Sequence, residues 1–176
     1  MKTLYISRHG EAVNIGAPGV FRDFDRHLSE EGKAKIAKQA LGLKQLGARW
    51  DKILSSPLVR ARQTAELLNA PVGAPLEFCD ALGDSPSLAN VQKILANMPE
   101  KRILLVSHQP FIVHLTAYLL TGRRDVSFHY NTGSMACLQS YQLQDEPKGE
   151  LAWFMSSEIL QNLAEQTSER LNHAQL

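Results

Sequence analysis

Cysteine is scarce. The 176 residues hold two, Cys79 and Cys137, far apart and in no metal-ligand spacing. That argues against a disulfide framework or a thiolate metal site, and reads as free buried thiols in a reducing compartment. Long apolar runs are also missing. No stretch approaches the ~18 residues that span a bilayer, and the run at Met1–Ser7 is too short for a signal peptide. A cytoplasmic protein without a membrane segment is expected. Excess charge of one sign is absent: 19 Lys and Arg face 18 Asp and Glu. Bulk charge therefore offers nothing to nucleic acid or a membrane surface. There is no repeat or low-complexity tract, no His-Glu-x-x-His, no Gly-x-Ser-x-Gly and no P-loop, so the metal or phosphate chemistry of those motifs has no support. What remains has 44% hydrophobic and 21% charged residues. That is ordinary for a globular chain, and we expect one domain over 1–176.

Strand and helix patterns alternate along this chain. Leu4-Tyr5-Ile6 is a short apolar run that breaks at Arg8-His9-Gly10, as a buried strand entering a loop does. Residues 11–27 read as a long loop. Ser29 then has the character of an N-cap, with Glu30 and Glu31 in the first turn. Ile36, Ala37, Ala40, Leu41 and Leu43 give that helix an apolar face, ending near Gly47. A strand at Asp51–Leu54 leads through Ser55-Ser56-Pro57 to a helix at Leu58–Leu68. Residues 70–84 are loop with an extended piece around Leu76-Glu77-Phe78. A helix covers Ser87–Met98. Ile103-Leu104-Leu105-Val106 is apolar throughout, like a central parallel strand. A helix from Pro110 to Leu120 stops at Gly122. Two late strands, Met135–Tyr141 and Leu151–Met155, flank a turn at Asp145–Gly149, and a C-terminal helix follows. The pattern predicts an α/β fold: a three-layer α/β/α sandwich around a mainly parallel sheet.

Two segments share one layout, strand then histidine: Ile6-Ser7-Arg8-His9-Gly10-Glu11 and Val106-Ser107-His108-Gln109-Pro110. Open α/β sheets bind ligands at the carboxyl ends of their strands, so His9 and His108 can meet on one edge. Arg60 and Arg62 sit at the start of the helix after the second strand, on that same edge. A helix N-terminus with arginines makes an anion site. Two histidines with arginines point to a phosphoryl group. A neutral imidazole attacks phosphorus if one nitrogen is free and the other held protonated. Nearby arginines help keep it neutral and balance the charge of the transferring group. Gly10 leaves room beside the nucleophile. His114, His129 and His173 read as packed or solvated, Lys33, Lys35, Lys38 and Lys44 as a solvated helix face, and Trp50 and Trp153 as core or boundary anchors.

These residues resemble the histidine phosphatase superfamily, which includes the phosphoglycerate mutases, and within it the small SixA-type phosphohistidine phosphatases. The likeness runs from about residue 4 to about residue 140. It rests on Arg8-His9-Gly10-Glu11-Ala12, on the segment from Asp23 to Gly32, on Ser55–Ala65 with its Ser-Pro-Leu-Val-Arg-Ala-Arg-Gln-Thr core, on Ser107-His108-Gln109-Pro110 and on Asn131–Ser134. The resemblance implies that His9 is the phosphorylated nucleophile, and that Arg8, Arg60 and His108 bind phosphate and stabilise the transition state. Arg62 falls outside the phosphate-binding position and takes a structural or rim role. Arg26 stands between two readings, substrate contact or loop support. No metal and no cofactor is implied.

The chain departs from the family at several positions. Ile15 stands where the mutase branch has Asn, His27 where the small branch has Pro, and Ser107 where Gly often precedes the late His. The mutase lid acid has no clear counterpart in Glu77–Asp84, which leaves Glu11 and Asp80 as candidate acids. Alkoxides need a positioned proton donor, whereas imidazole, with a pKa near 6.5, departs readily. A weak acid therefore suits a phosphohistidine substrate. The expected partner is a phosphorylated protein such as a phosphotransfer domain, with a small phosphorylated metabolite or a silent phosphate-binding module as alternatives.

Overall fold

The computed structural model describes residues 2–142 and 148–173. Strands β1 (Thr3–Arg8), β2 (Lys52–Ser55), β3 (Leu76–Phe78), β4 (Arg102–Ser107), β5 (Met135–Gln142) and β6 (Lys148–Met155) form one sheet in the order β3-β2-β4-β1-β5-β6. The first four in that order are parallel. β5 runs against both β1 and β6. Helices are α1 (Glu30–Gln45), α2 (Val59–Asn69), α3 (Leu88–Asn97), α4 (Phe111–Thr121) and α5 (Ser157–His173). The expected α/β class and mainly parallel sheet are what the chain adopts. Of the expected turn at Asp145–Gly149, residues 145–147 lie outside the described residues, and Lys148 and Gly149 belong to β6, which starts earlier than the expected Leu151.

Side-chain alternation along the strands builds two cores. Leu4, Ile6, Ile103 and Leu105 join Leu95 and Phe111, Ile112 and Leu115 of α3 and α4 on one face. Tyr5, Ile53, Leu104 and Val106 join Ile36, Ala61, Leu68 and Leu160 of α1, α2 and α5 on the other. Both neighbours of β4 are parallel to it and both its faces are covered. That is why its sequence is apolar without a break. Each fully buried Leu, Ile or Val contributes about 1.5–3 kcal/mol, so this strand anchors the edge on which the site sits.

Local signals set the helix ends. Ser29 Oγ accepts from Gly32 N at 3.0 Å, capping α1, worth about 1 kcal/mol. Gly47 and Gly122 end their helices with φ of 71° and 72°, the left-handed conformation that glycine adopts without penalty. The buried face of α1 differs from the expected one. Ile36, Ala40 and Leu43 are buried, but Ala37 and Leu41 are exposed, and Gly32, Gln39 and Gly42 take their place. The reason is α5. A Cβ on Gly42 would stand 1.9 Å from Leu160 O, and Gln39 bridges Gly133 O and Ser157 Oγ. Trp50 is buried, 5.8 Å edge-on to Tyr5, and Cys79 and Cys137 are free buried thiols.

Candidate active site

β4 lies between β2 and β1, so the carboxyl ends of the three strands are neighbours. Arg8 is in register with Ser107, and Ser55 with Val106. The next residue on each of β1 and β4 is a histidine. The two rings come to 5.5 Å between centroids. His108 precedes α4 by three residues, and His114 lies within α4 and is exposed.

His9 is buried and held by backbone on both sides. Its N–H donates to Ser107 O at 3.1 Å, and its own carbonyl accepts from Gly133 N at 3.0 Å. On the ring, Nδ1 lies 2.7 Å from Gly10 O. A carbonyl can only accept, so Nδ1 carries the proton and Nε2 keeps its lone pair. Arg60 Nε donates to that Nε2 at 3.3 Å. Thr64 Oγ1 fixes the loop from below: it accepts Gly10 N at 3.0 Å and donates to Arg60 O at 2.7 Å. Gly10 is needed for packing more than for substrate room. A Cβ there would meet Ile36 at 2.7 Å.

The cations converge on the same point. Arg60 is 6% exposed, and Arg8 is half-buried with Nη1 on Tyr130 O at 2.8 Å. Arg8 Nε is buried with no hydrogen-bond partner among the described residues. His108 is buried, its Nε2 2.7 Å from Ser56 Oγ. Arg26 supports the loop: its Nε donates to Val13 O at 2.7 Å and its Nη1 to Asp23 Oδ1 at 3.1 Å. A cleft of about 170 Å³ opens beside them, lined by Asp23, Arg60, Asp84 and His108 among others, with His9 and Arg8 behind its lining. A neutral imidazole with a free lone pair, two arginines and a second histidine gathered at one sheet edge suit a tetrahedral oxyanion.

Comparison with known proteins agrees with this geometry. Residues 4–85 match the model of the histidine phosphatase superfamily (branch 1). A phosphohistidine phosphatase SixA homolog of Haemophilus influenzae is 30% identical over 138 residues, which cover 72% of this chain and 82% of that protein. The chain belongs to the histidine phosphatase superfamily, in its SixA-type branch. A solved structure of the protein histidine phosphatase SixA complexed with tungstate superposes with TM-score 0.77 at 26% identity, covering 90% of this chain and 99% of that one. An uncharacterised Picosynechococcus protein is 37% identical over 111 residues, 61% of this chain. The chain spans 66% of that protein's length, and 21% of a mitochondrial Pgam5 serine/threonine phosphatase of Drosophila ananassae.

The other sequence candidates of this histidine phosphatase are placed differently. Glu11 turns away from His9 to pair with Lys35 at 3.1 Å. It lines a separate groove with Lys35, Asn131 and Glu158. Asp80 is exposed at the start of a 3-10 turn. Arg62 is exposed, its guanidinium 4.5 Å over the Phe78 ring. Four residues of the site went unassigned in the sequence: Asp23, Ser56, Thr64 and Asp84. The signal for Asp23 was its place three residues before Arg26 in a turn, where the two pair. Thr64 stands four residues after Arg60, the spacing at which a helical Thr bonds back to a carbonyl. Among the described residues no group of three or more His, Cys, Asp or Glu is placed to hold a metal ion.

Electrostatics keep both rings neutral. Burial, then the charge of Arg60, lowers His9 from 6.5 to about 3, against the opposing pull of the Gly10 hydrogen bond. Burial and Arg60 lower His108 to about 4. Between these values and 6.5 the unfolded chain takes up protons that the folded chain refuses, so stability falls as pH drops through that window. We expect wild-type melting temperature to fall from pH 7 to pH 4 more steeply than that of His108→Ala, followed by scanning calorimetry. Parallel curves would contradict a depressed His108.

Proposed function

We propose that the protein is a phosphohistidine phosphatase in which His9 is the nucleophile and the phosphoryl donor is a phosphotransfer domain of a cytoplasmic signalling relay, with the whole chain acting as one domain. One observation carries the reading: Gly10 O holds Nδ1–H, which leaves the Nε2 lone pair of a neutral imidazole facing Arg60. In the first step Nε2 bonds to phosphorus as the P–N bond to the substrate imidazole breaks, and the departing imidazole keeps a proton. In the second, water attacks, the P–Nε2 bond breaks, and inorganic phosphate leaves. Arg8, Arg60 and His108 would bind the phosphoryl oxygens and balance their charge in both steps. SixA's hold on tungstate, a tetrahedral oxyanion, supports phosphate in this cleft. The carboxylates nearby favour an easy leaving group. Asp23 is committed to Arg60 and Arg26, and Glu11 is paired with Lys35.

A small-molecule phosphomonoesterase is the second reading. Asp84 favours it, because this exposed carboxylate lines the cleft and could protonate an alkoxide. Phosphate release is to be compared between a phosphorylated phosphotransfer domain and sugar phosphates, with EDTA present. We expect the protein substrate to be preferred by at least about tenfold in kcat/KM. Equal or better turnover of sugar phosphates would decide for the second reading.

A further inference from the structure

Arg60 has five N–H donors in a rigid fork, and Asp23 takes two of them. Nη2 donates to Asp23 Oδ2 at 2.8 Å, and Nη1 to the Asp23 backbone carbonyl at 2.7 Å. The fork is planar, so pinning both Nη atoms also fixes where Nε points. It points at His9 Nε2. Asp23 is itself fixed, because its other carboxylate oxygen accepts from Arg26. Arg26 in turn is tied to Val13 O, and Val13 N donates to His27 O, closing the loop across its base. Leu28, next along the chain, donates its N–H to Gln63 Oε1 on α2, one turn from Arg60. The long loop is thus an arm tied to α2 at two points, Asp23 on Arg60 and Leu28 on Gln63, and Arg60 is the arginine whose Nε meets the nucleophile.

We infer that Asp23 is a positioning residue for catalysis: it aims the Arg60 guanidinium so that Nε–H meets the nucleophile and, during transfer, the phosphoryl group on it. The inference rests on His9 being the nucleophile and Arg60 a phosphate ligand. Asp23 takes no proton and touches no reacting atom in this role. Its effect belongs in kcat, because a mis-aimed donor weakens the transition state more than the bound ground state. Its negative charge acts separately, opposing oxyanion binding.

Three substitutions divide aim from charge. Asp23→Asn keeps one oxygen for Arg60 Nη2 while removing the charge and the acceptor for Arg26, which stays tied to Val13 O. Asp23→Glu keeps the charge but lengthens the reach by one methylene. Asp23→Ala removes both, leaving the backbone contact. With para-nitrophenyl phosphate as probe, kcat of Asp23→Ala and Asp23→Glu should fall about tenfold or more, the effect of mis-aiming one donor to the developing anion. Asp23→Asn should stay within about threefold of wild type, and inorganic phosphate should inhibit it at least as tightly. Circular dichroism melts check folding; should Asp23→Ala not fold, the Asn and Glu pair carries the test. Wild-type kcat in Asp23→Glu, or an Asn variant as slow as Glu, would overturn the inference. Wild-type turnover that survives His9→Ala, or no turnover at all, would instead sink the underlying phosphatase reading and this inference with it.

Discussion

Replacing His9 with Ala is expected to lower kcat by about 10³-fold or more on any phosphorylated substrate, the scale seen when a covalent nucleophile is removed. The neighbouring serines are poor substitutes. Ser7, Ser55 and Ser107 hydroxyls all donate to backbone carbonyls, of Arg8, Ser56 and Leu82, and Ser56, whose Oγ pairs with His108, is fully buried and accepts Leu58 N. A replacement nucleophile would need a free lone pair aimed into the cleft and a base beside it, and these serines point their protons elsewhere. The other histidine of the site is the real competitor. His108 lies 5.5 Å from His9 between ring centroids and is also held neutral. Labelling with a phosphorylated substrate separates the two. Wild type should trap a phosphoenzyme that is acid-labile and stable in alkali, as phosphohistidine is. His108→Ala should still form it, more slowly, and His9→Ala should form none. Label that persists in His9→Ala and disappears in His108→Ala would exchange their roles.

The parts of this site that were legible in the sequence are those set by local pattern. An apolar strand that stops at a histidine occurs twice, and parallel strands bring both ends to one edge. Ser29 as a cap, Gly47 and Gly122 as stops, and Ile103–Val106 as the central strand all follow from short-range chemistry. The illegible parts depend on contacts between distant segments. Leu41 belongs to the apolar stripe of α1, yet it is 53% exposed, because α5 approaches that helix along Gly42 instead. Glu11 sits beside His9 in the chain, but its side chain follows Lys35 of α1. Asp84 was within reach of the sequence argument about lid acids; only the path of the chain after β3 puts it at the cleft. Asp23 shows the limit most clearly. Its pairing with Arg26 is local, while its hold on Arg60 needs the whole arm to fold back onto α2.

Arg60 should be the next most costly loss. We expect Arg60→Ala to lower kcat/KM by about 10²–10³-fold, the scale for removing one preorganised donor to a developing anion. Arg60→Lys should recover only part of it and stay at least about tenfold below wild type. A lysine restores the charge but has no fork with which to hold Asp23 at one end and His9 at the other. The Arg60 side chain is 7% exposed, so water does little to screen its charge. That charge also lowers the pKa of both His9 and His108. Removing it should therefore raise both, and the acid limb of the pH–rate profile should move to higher pH in Arg60→Ala. Steady-state kinetics between pH 4 and pH 8 read both effects. A lysine variant at wild-type kcat/KM would mean that charge alone suffices, and the directed Nε–H would lose its place in the mechanism. A reduced rate with an unmoved acid limb would mean that burial alone keeps the nucleophile neutral. Arg60 would then act on the phosphoryl group and not on His9.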